Sequence, residues 1–258
     1  AKLDELLAFA GYKQTIHGTH VAGIIGANRD GSGMQGVAYG VDLYTATSSS
    51  DKVKNMEAIF GWPGAQLFGR GPSDAARAST QAQFADSQVR VINNSWGWGD
   101  VSKTADELHK AAANIKTLTD GYAAWTRKNK ILQVWSAGNN SGSLAHDLAS
   151  LPRYQQDAEP YWVGVANLTP ENKLAPSSNQ CGLAKDWCVS APGSDITSSV
   201  PGGKIEGEVL RDKDGNPVGM KITKAEEVSS YSSQTGTSMA APHVAGGLAL
   251  LMERFPYL

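Results

Sequence analysis

The stretch Gly236-Thr237-Ser238-Met239-Ala240-Ala241-Pro242-His243-Val244-Ala245-Gly246 decides how this chain is read. Its small residues let a helix, running on to Glu253, lie close against a sheet. A serine at the turn into such a helix presents its hydroxyl outward. The amide groups of the first turn then favour negative charge that develops on a substrate held there. Gly-Thr-Ser alone reads better as an ordinary N-cap. Eleven residues of this kind say more.

Outward from that helix, strand-like and helix-like stretches alternate. His17 to Ala27 has the small-residue spacing of a packed helix, and Ser73 to Asp86 and Thr104 to Lys128 also read as helical. Val41 to Thr47, Val89 to Ser95, Ile131 to Ser136 and Tyr161 to Ala166 read as strands. Ile205 to Ile222 carries an Asp-Gly-Asn-Pro turn between alternating polar arms, a surface hairpin. Ala1 opens into a short amphipathic helix rather than a targeting segment. Strands alternating with helices predict an α/β fold of three layers, a mostly parallel central sheet with helices on both faces. Functional residues then gather at the carboxyl ends of the strands. With 258 residues and no repeat or low-complexity linker, residues 1–258 read as a single domain.

Composition excludes several function classes. A net charge of −2 offers no basic patch for nucleic acid. No apolar run approaches the roughly 20 residues that span a bilayer. Hydrophobic residues at 41% supply a sizeable core and argue against disorder. The two cysteines, Cys181 and Cys188, lie in a Gly- and Pro-flanked loop and are expected to form a small disulfide. Closing about eight residues contributes about 2.5 kcal/mol on the chain-entropy view, and such a bond implies an oxidising compartment. Two unrelated buried thiols are the alternative. No second pair of soft ligands is present to make a zinc site.

The stretch around Ser238 resembles the nucleophile motif of subtilases nearly letter for letter. His17-Gly18-Thr19-His20-Val21-Ala22-Gly23 is similar to the histidine motif of the same family, whose first histidine is the general base. Imidazole titrates near working pH and can take the proton that keeps a serine hydroxyl weak. Alone, two histidines three apart also fit a metal pair or a packed pair. His20 and His243 are read as structural, and His109 and His146, in polar surroundings, as surface residues. Ser136-Ala137-Gly138-Asn139-Asn140 resembles the oxyanion loop, which makes Asn139 the side-chain donor. Val91 to Gly97 resembles the strand that pairs with extended substrate. The resemblance therefore implies substrate contacts at Ser95, Trp96, Gly97, Ser136, Ala137 and Gly138.

The family orders its triad Asp, His, Ser. No strand ending in Asp-Ser/Thr-Gly precedes His17; Asp4, the only upstream aspartate, lies in a helical context and is not assigned. The expectation is a peptidase domain cut at both ends, its acid upstream, and inactive by itself. The aspartate fixes the imidazole tautomer, and its loss lowers turnover by about four powers of ten in related triads. An insertion-like stretch runs from Ser48 to Pro72. The cysteine loop and long hairpin look similar to passengers of bacterial autotransporters. That likeness implies an extracellular or cell-surface location, polypeptide substrates, and a propeptide or outer-membrane translocator domain outside this chain. The chemistry calls for no cofactor. Asn28 to Met34 falls where some subtilases carry a calcium loop with a ligand at the position of Asp30, but Arg29 favours a plain solvated glycine turn over a structural calcium. The competing functions are a dead subtilase that keeps a peptide groove and a surface adhesion domain.

Overall fold

The computed structural model of the chain describes residues 16–44, 89–97, 104–114, 116–200, 204–211, 213, 217–226 and 230–257. Four short strands make its parallel sheet. β1 (Val91–Asn94), β2 (Leu132–Ser136), β3 (Trp162–Leu168) and β4 (Cys188–Pro192) pair in that order. Asn94 stands opposite Trp135, and Ser136 opposite Val165.

Strand alternation sends neighbouring side chains to opposite faces, and each face has its own helices. On one face Val134 and Val165 meet Ala240, Ala241 and Ala245 of the C-terminal helix α4 (Thr237–Arg254). On the other, Trp135 and Trp162 meet Tyr122 and Ala123 of α3 (Lys116–Asn129). The two indoles stack, with centroids 5.6 Å apart and planes at 16°. Alanines on α4 and large rings on α3 are complementary solutions: the first helix lies close to the sheet, the second at a distance filled by aromatic bulk. Ahead of α3 lies α2 (Ala105–Asn114), acidic in its first turn as the helix dipole favours. The first described helix, α1 (Ile16–Gly26), packs against α4 and against β5 (Ile196–Val200). β5 pairs antiparallel with β8 (Ser230–Gln234), and β6 (Lys204–Arg211) with β7 (Pro217–Glu226).

The three layers, the parallel sheet and the hairpin are as the sequence predicts. The region read as one helix over 104–128 holds two, α2 and α3. Residues 41–44 are not a strand. Val41 donates its N–H to Ala38 O at 2.9 Å, and the Val41 and Leu43 side chains fold back on Gly26 at the end of α1. The N-terminal helix, the 48–72 stretch, the 73–86 helix and the tip of the hairpin turn lie outside the described residues. The strands β4, β5 and β8 were not anticipated.

Candidate active site

α4 begins where β1 and β2 end, and three elements meet there through hydrogen bonds. The first-turn N–H groups of a helix have no acceptor inside it. The Thr237 N–H finds one in Asn139 Oδ1, at 2.8 Å, and the Thr237 hydroxyl donates to the same oxygen at 3.0 Å. In return the Gly138 N–H donates to Thr237 Oγ1 at 3.1 Å. Two donors at one oxygen fix which way the Asn139 amide is turned. Its Oδ1 is committed to the helix, so its NH2 group is directed away from Thr237, on an exposed residue beside the serine.

Ser238 is half-buried on the same turn. Four residues on stands Pro242, inside the helix. Proline has no N–H, so the Ser238 carbonyl loses its usual helical donor. The Ser95 hydroxyl supplies the bond instead, donating to Ser238 O at 2.8 Å. The Ser238 hydroxyl donates back to Ser95 O at 3.3 Å. The proline thus ties the end of β1 to the serine. Behind Ser95, Gln133 Oε1 accepts from the Asn94 amide at 3.0 Å and from the Tyr122 hydroxyl. Burial raises the Tyr122 pKa well above 10, against the lowering effect of Asn94, so the hydroxyl keeps the proton it donates.

His17 sits in the first turn of α1. Val21, one turn further on the same face, packs with Ile24 against Met239, the neighbour of Ser238. Burial holds the His17 pKa below 6.5, and His20 lowers it further by charge. His20 is fully buried, its Nε2 3.0 Å from both Ile196 O and Ser232 O. Two carbonyl partners require that nitrogen to donate, which makes His20 the bolt between α1 and the β5–β8 pair. His243 Nδ1 donates to Met239 O at 2.8 Å within α4. Both are structural, as read. His109 is exposed, with its ring against Tyr154.

His146 is not a surface residue: it is 5% exposed. Its polar sequence neighbours misled because the ring fills space left by a glycine elsewhere. A β-carbon on Gly97 would lie 2.4 Å from His146 Nε2. The Leu148 N–H reaches Nδ1 at 3.3 Å, and the His146 N–H donates to Ala137 O at 2.7 Å. The ring therefore stands between the two chain segments that leave β1 and β2. Of the residues read as substrate contacts, Ser95, Ser136 and Ala137 are buried, while Trp96, Gly97 and Gly138 are half-exposed. The Trp96 and Trp135 rings meet edge to face at 5.2 Å.

Sequence reasoning also missed Asn179, which is fully buried beside the 138–142 loop. Nothing in Ser177-Ser178-Asn179-Gln180 separates it from an ordinary turn residue. Two residues on, Cys181 is bonded to Cys188, with Cα atoms 5.9 Å apart, as expected. At Asp30, Oδ1 accepts the Ser32 N–H at 2.9 Å, and the Arg29 guanidinium points away onto the Tyr39 ring. Calcium takes about six to eight oxygens. One carboxylate and a few carbonyls fit only part of such a shell, and among the described residues no three His, Cys, Asp or Glu side chains cluster as a metal site.

The profile of the Subtilase family matches residues 10–258. The chain belongs to the subtilase family. An extracellular serine protease of Serratia marcescens is 33% identical over 282 residues, which cover 94% of this chain and 24% of that protein. The neisserial autotransporter lipoprotein NalP of Neisseria meningitidis is 24% identical, over 93% of this chain and 21% of its own length. The chain thus spans about a quarter of these relatives. Among solved structures, fervidolysin of Fervidobacterium pennivorans, a keratinolytic enzyme related to subtilisin, matches with a TM-score of 0.52 and 29% identity, over 94% of this chain and 30% of that one. No described helix is long and apolar enough to cross a membrane.

Proposed function

We propose that this chain is the greater part of a serine endopeptidase domain and cleaves peptide bonds through an acyl-enzyme. The observation that carries the reading is the turned amide of Asn139, held at the start of α4 by Thr237, the residue before Ser238. In the reaction, Ser238 Oγ adds to the substrate carbonyl while His17 takes the hydroxyl proton. The carbonyl oxygen becomes an oxyanion, stabilised by Asn139 Nδ2–H and the first-turn Ser238 N–H. Collapse breaks the C–N bond, and His17 returns the proton to the leaving amine. Water then adds to the acyl group with His17 again as base, releasing the acid and restoring Ser238. No triad acid is assigned among residues 1–258.

The substrate lies as an added strand along Ser95, Trp96 and Gly97, with Ser136, Ala137 and Gly138 on its other side. Ser95 O, which accepts from Ser238 in this structure, is then freed to accept a peptide N–H. Residues 1–258 form a single domain of an extracellular or cell-surface protein whose chain also carries a propeptide or translocator. Relatives named as extracellular or autotransporter proteins support that placement.

The test is turnover of an unstructured protein by the full-length parent and by its Ser238→Ala variant. Cleavage by the parent alone supports the reading. Cleavage by both overturns the assignment of Ser238. Peptide affinity without cleavage by either makes the protein a binding module.

A further inference from the structure

We infer that Asn179 is the positioning residue of the oxyanion loop: it clamps Asn139 from both sides and so sets where the Asn139 amide stands. The inference rests on the proposed role of Asn139. The residue before Asn139 is held by the Asn179 backbone, whose N–H donates to Gly138 O at 2.9 Å. The residue after it is held by the Asn179 side chain, whose Oδ1 accepts the Asn140 N–H at 2.9 Å. The same oxygen accepts the Gly142 N–H, also at 2.9 Å. One residue therefore grips Asn139 at both flanking peptides.

The remaining contacts show why a buried asparagine is needed there. Gly138 has φ 108°, a conformation open mainly to glycine. A β-carbon on it would stand 2.6 Å from Asn179 Nδ2, so the amide occupies the space a side chain at Gly138 would need. That Nδ2 is buried with no hydrogen-bond partner. A buried amide without a partner for its NH2 is unfavourable. The site keeps it, and the return is an oxygen placed to take two loop N–H groups at once. The clamp is itself anchored. Ser178 Oγ accepts the Asn167 N–H from β3 at 3.0 Å and donates to Asn179 O at 2.9 Å. The Cys181–Cys188 bond ties the next residues to β4. Loop placement is thus referred to the sheet through Asn179 rather than left to the loop.

The test uses the full-length parent, first shown to cleave a peptide substrate through Ser238. Without that cleavage it is the proposed function that fails, not this inference. In an active parent, Asn179→Ala lowers kcat by about tenfold, equivalent to about 1.4 kcal/mol, and leaves KM within about twofold. Affinity for a peptide aldehyde, whose adduct carries the tetrahedral oxygen, falls by the same factor, while affinity for the product peptide does not. Repeated on Asn139→Ala, the Asn179→Ala change lowers kcat no further, because the residue acts only through Asn139. Asn179→Thr, which keeps one acceptor oxygen, loses less than Asn179→Ala and serves for the cycle if the alanine variant does not fold. Equal losses of kcat with and without Asn139, or aldehyde and product affinities falling together, overturn the inference.

Discussion

The serine end of α4 and the histidine end of α1, helices that pack together through Val21, Ile24 and Met239, are built differently. At the serine end every part is tied by hydrogen bonds to a strand end or a loop: Thr237 to Asn139, Ser238 to Ser95, and the Asn139 loop to Asn179. At the histidine end the anchor is His20, one turn away and bolted to β5 and β8, together with apolar packing of Val21 and Ile24 on Met239. The difference suits the roles proposed for each part. Donors to a developing charge act by being fixed beforehand. A base moves a proton between two partners and is oriented by its own acid.

The most severe way to break either half is to remove its reacting group. His17→Ala and Ser238→Ala should each lower kcat in the full-length parent by about a millionfold, and the double variant should lose no more than either, as for residues that act as a unit. Stopped assays with high enzyme concentration measure this; additive losses contradict a shared step. Next, Asn139→Leu should cost kcat about a hundred- to a thousandfold, a magnitude measured in a subtilisin, with little change in KM. An effect confined to KM removes Asn139 from the transition state.

Smaller effects sharpen the contrast in rigidity. Reducing the Cys181–Cys188 bond should destabilise the fold by about 2.5 kcal/mol and, through the Asn179 segment, affect kcat more than the His17 titration. Denaturant unfolding with and without reductant reads the first, and a pH profile the second. Gly97→Ala places a β-carbon against His146 and should cost about 1–3 kcal/mol by overpacking. Its unfolding midpoint should recover when His146→Ala is added; a midpoint unchanged by Gly97→Ala denies the close contact. The smallest effect is a direction. Burial and the nearby His20 lower the His17 pKa within residues 1–258, so there the imidazole stays neutral to below pH 6.5. Ring NMR of residues 1–258 should show His17 titrating below 6.5, and a midpoint above it contradicts the burial described.

The two helices that carry His17 and Ser238 were legible in the sequence because small residues at close spacing have few other uses. The strands β2 and β3 were legible from their Val and Trp content. Ile196 to Val200 and Ser230 to Gln234 were not: runs such as Ile-Thr-Ser-Ser-Val carry little hydrophobic signal, and their pairing with each other and with His20 is decided by tertiary contact. Val41 to Tyr44 has the right residues for a strand, yet its apolar side chains are spent on Gly26. His146 and Asn179 were invisible for a related reason. Each is defined by a glycine far away in sequence, Gly97 for the ring and Gly138 for the amide, and a missing side chain announces no partner.

The central claim is that Ser238 is a nucleophile activated by His17. It is tested most directly by reacting the full-length parent with a fluorophosphonate and locating the adduct by peptide mass spectrometry. The account predicts a single adduct on Ser238 that disappears in His17→Ala while the protein remains folded. An adduct on another residue, or one on Ser238 that forms equally fast without His17, would contradict it.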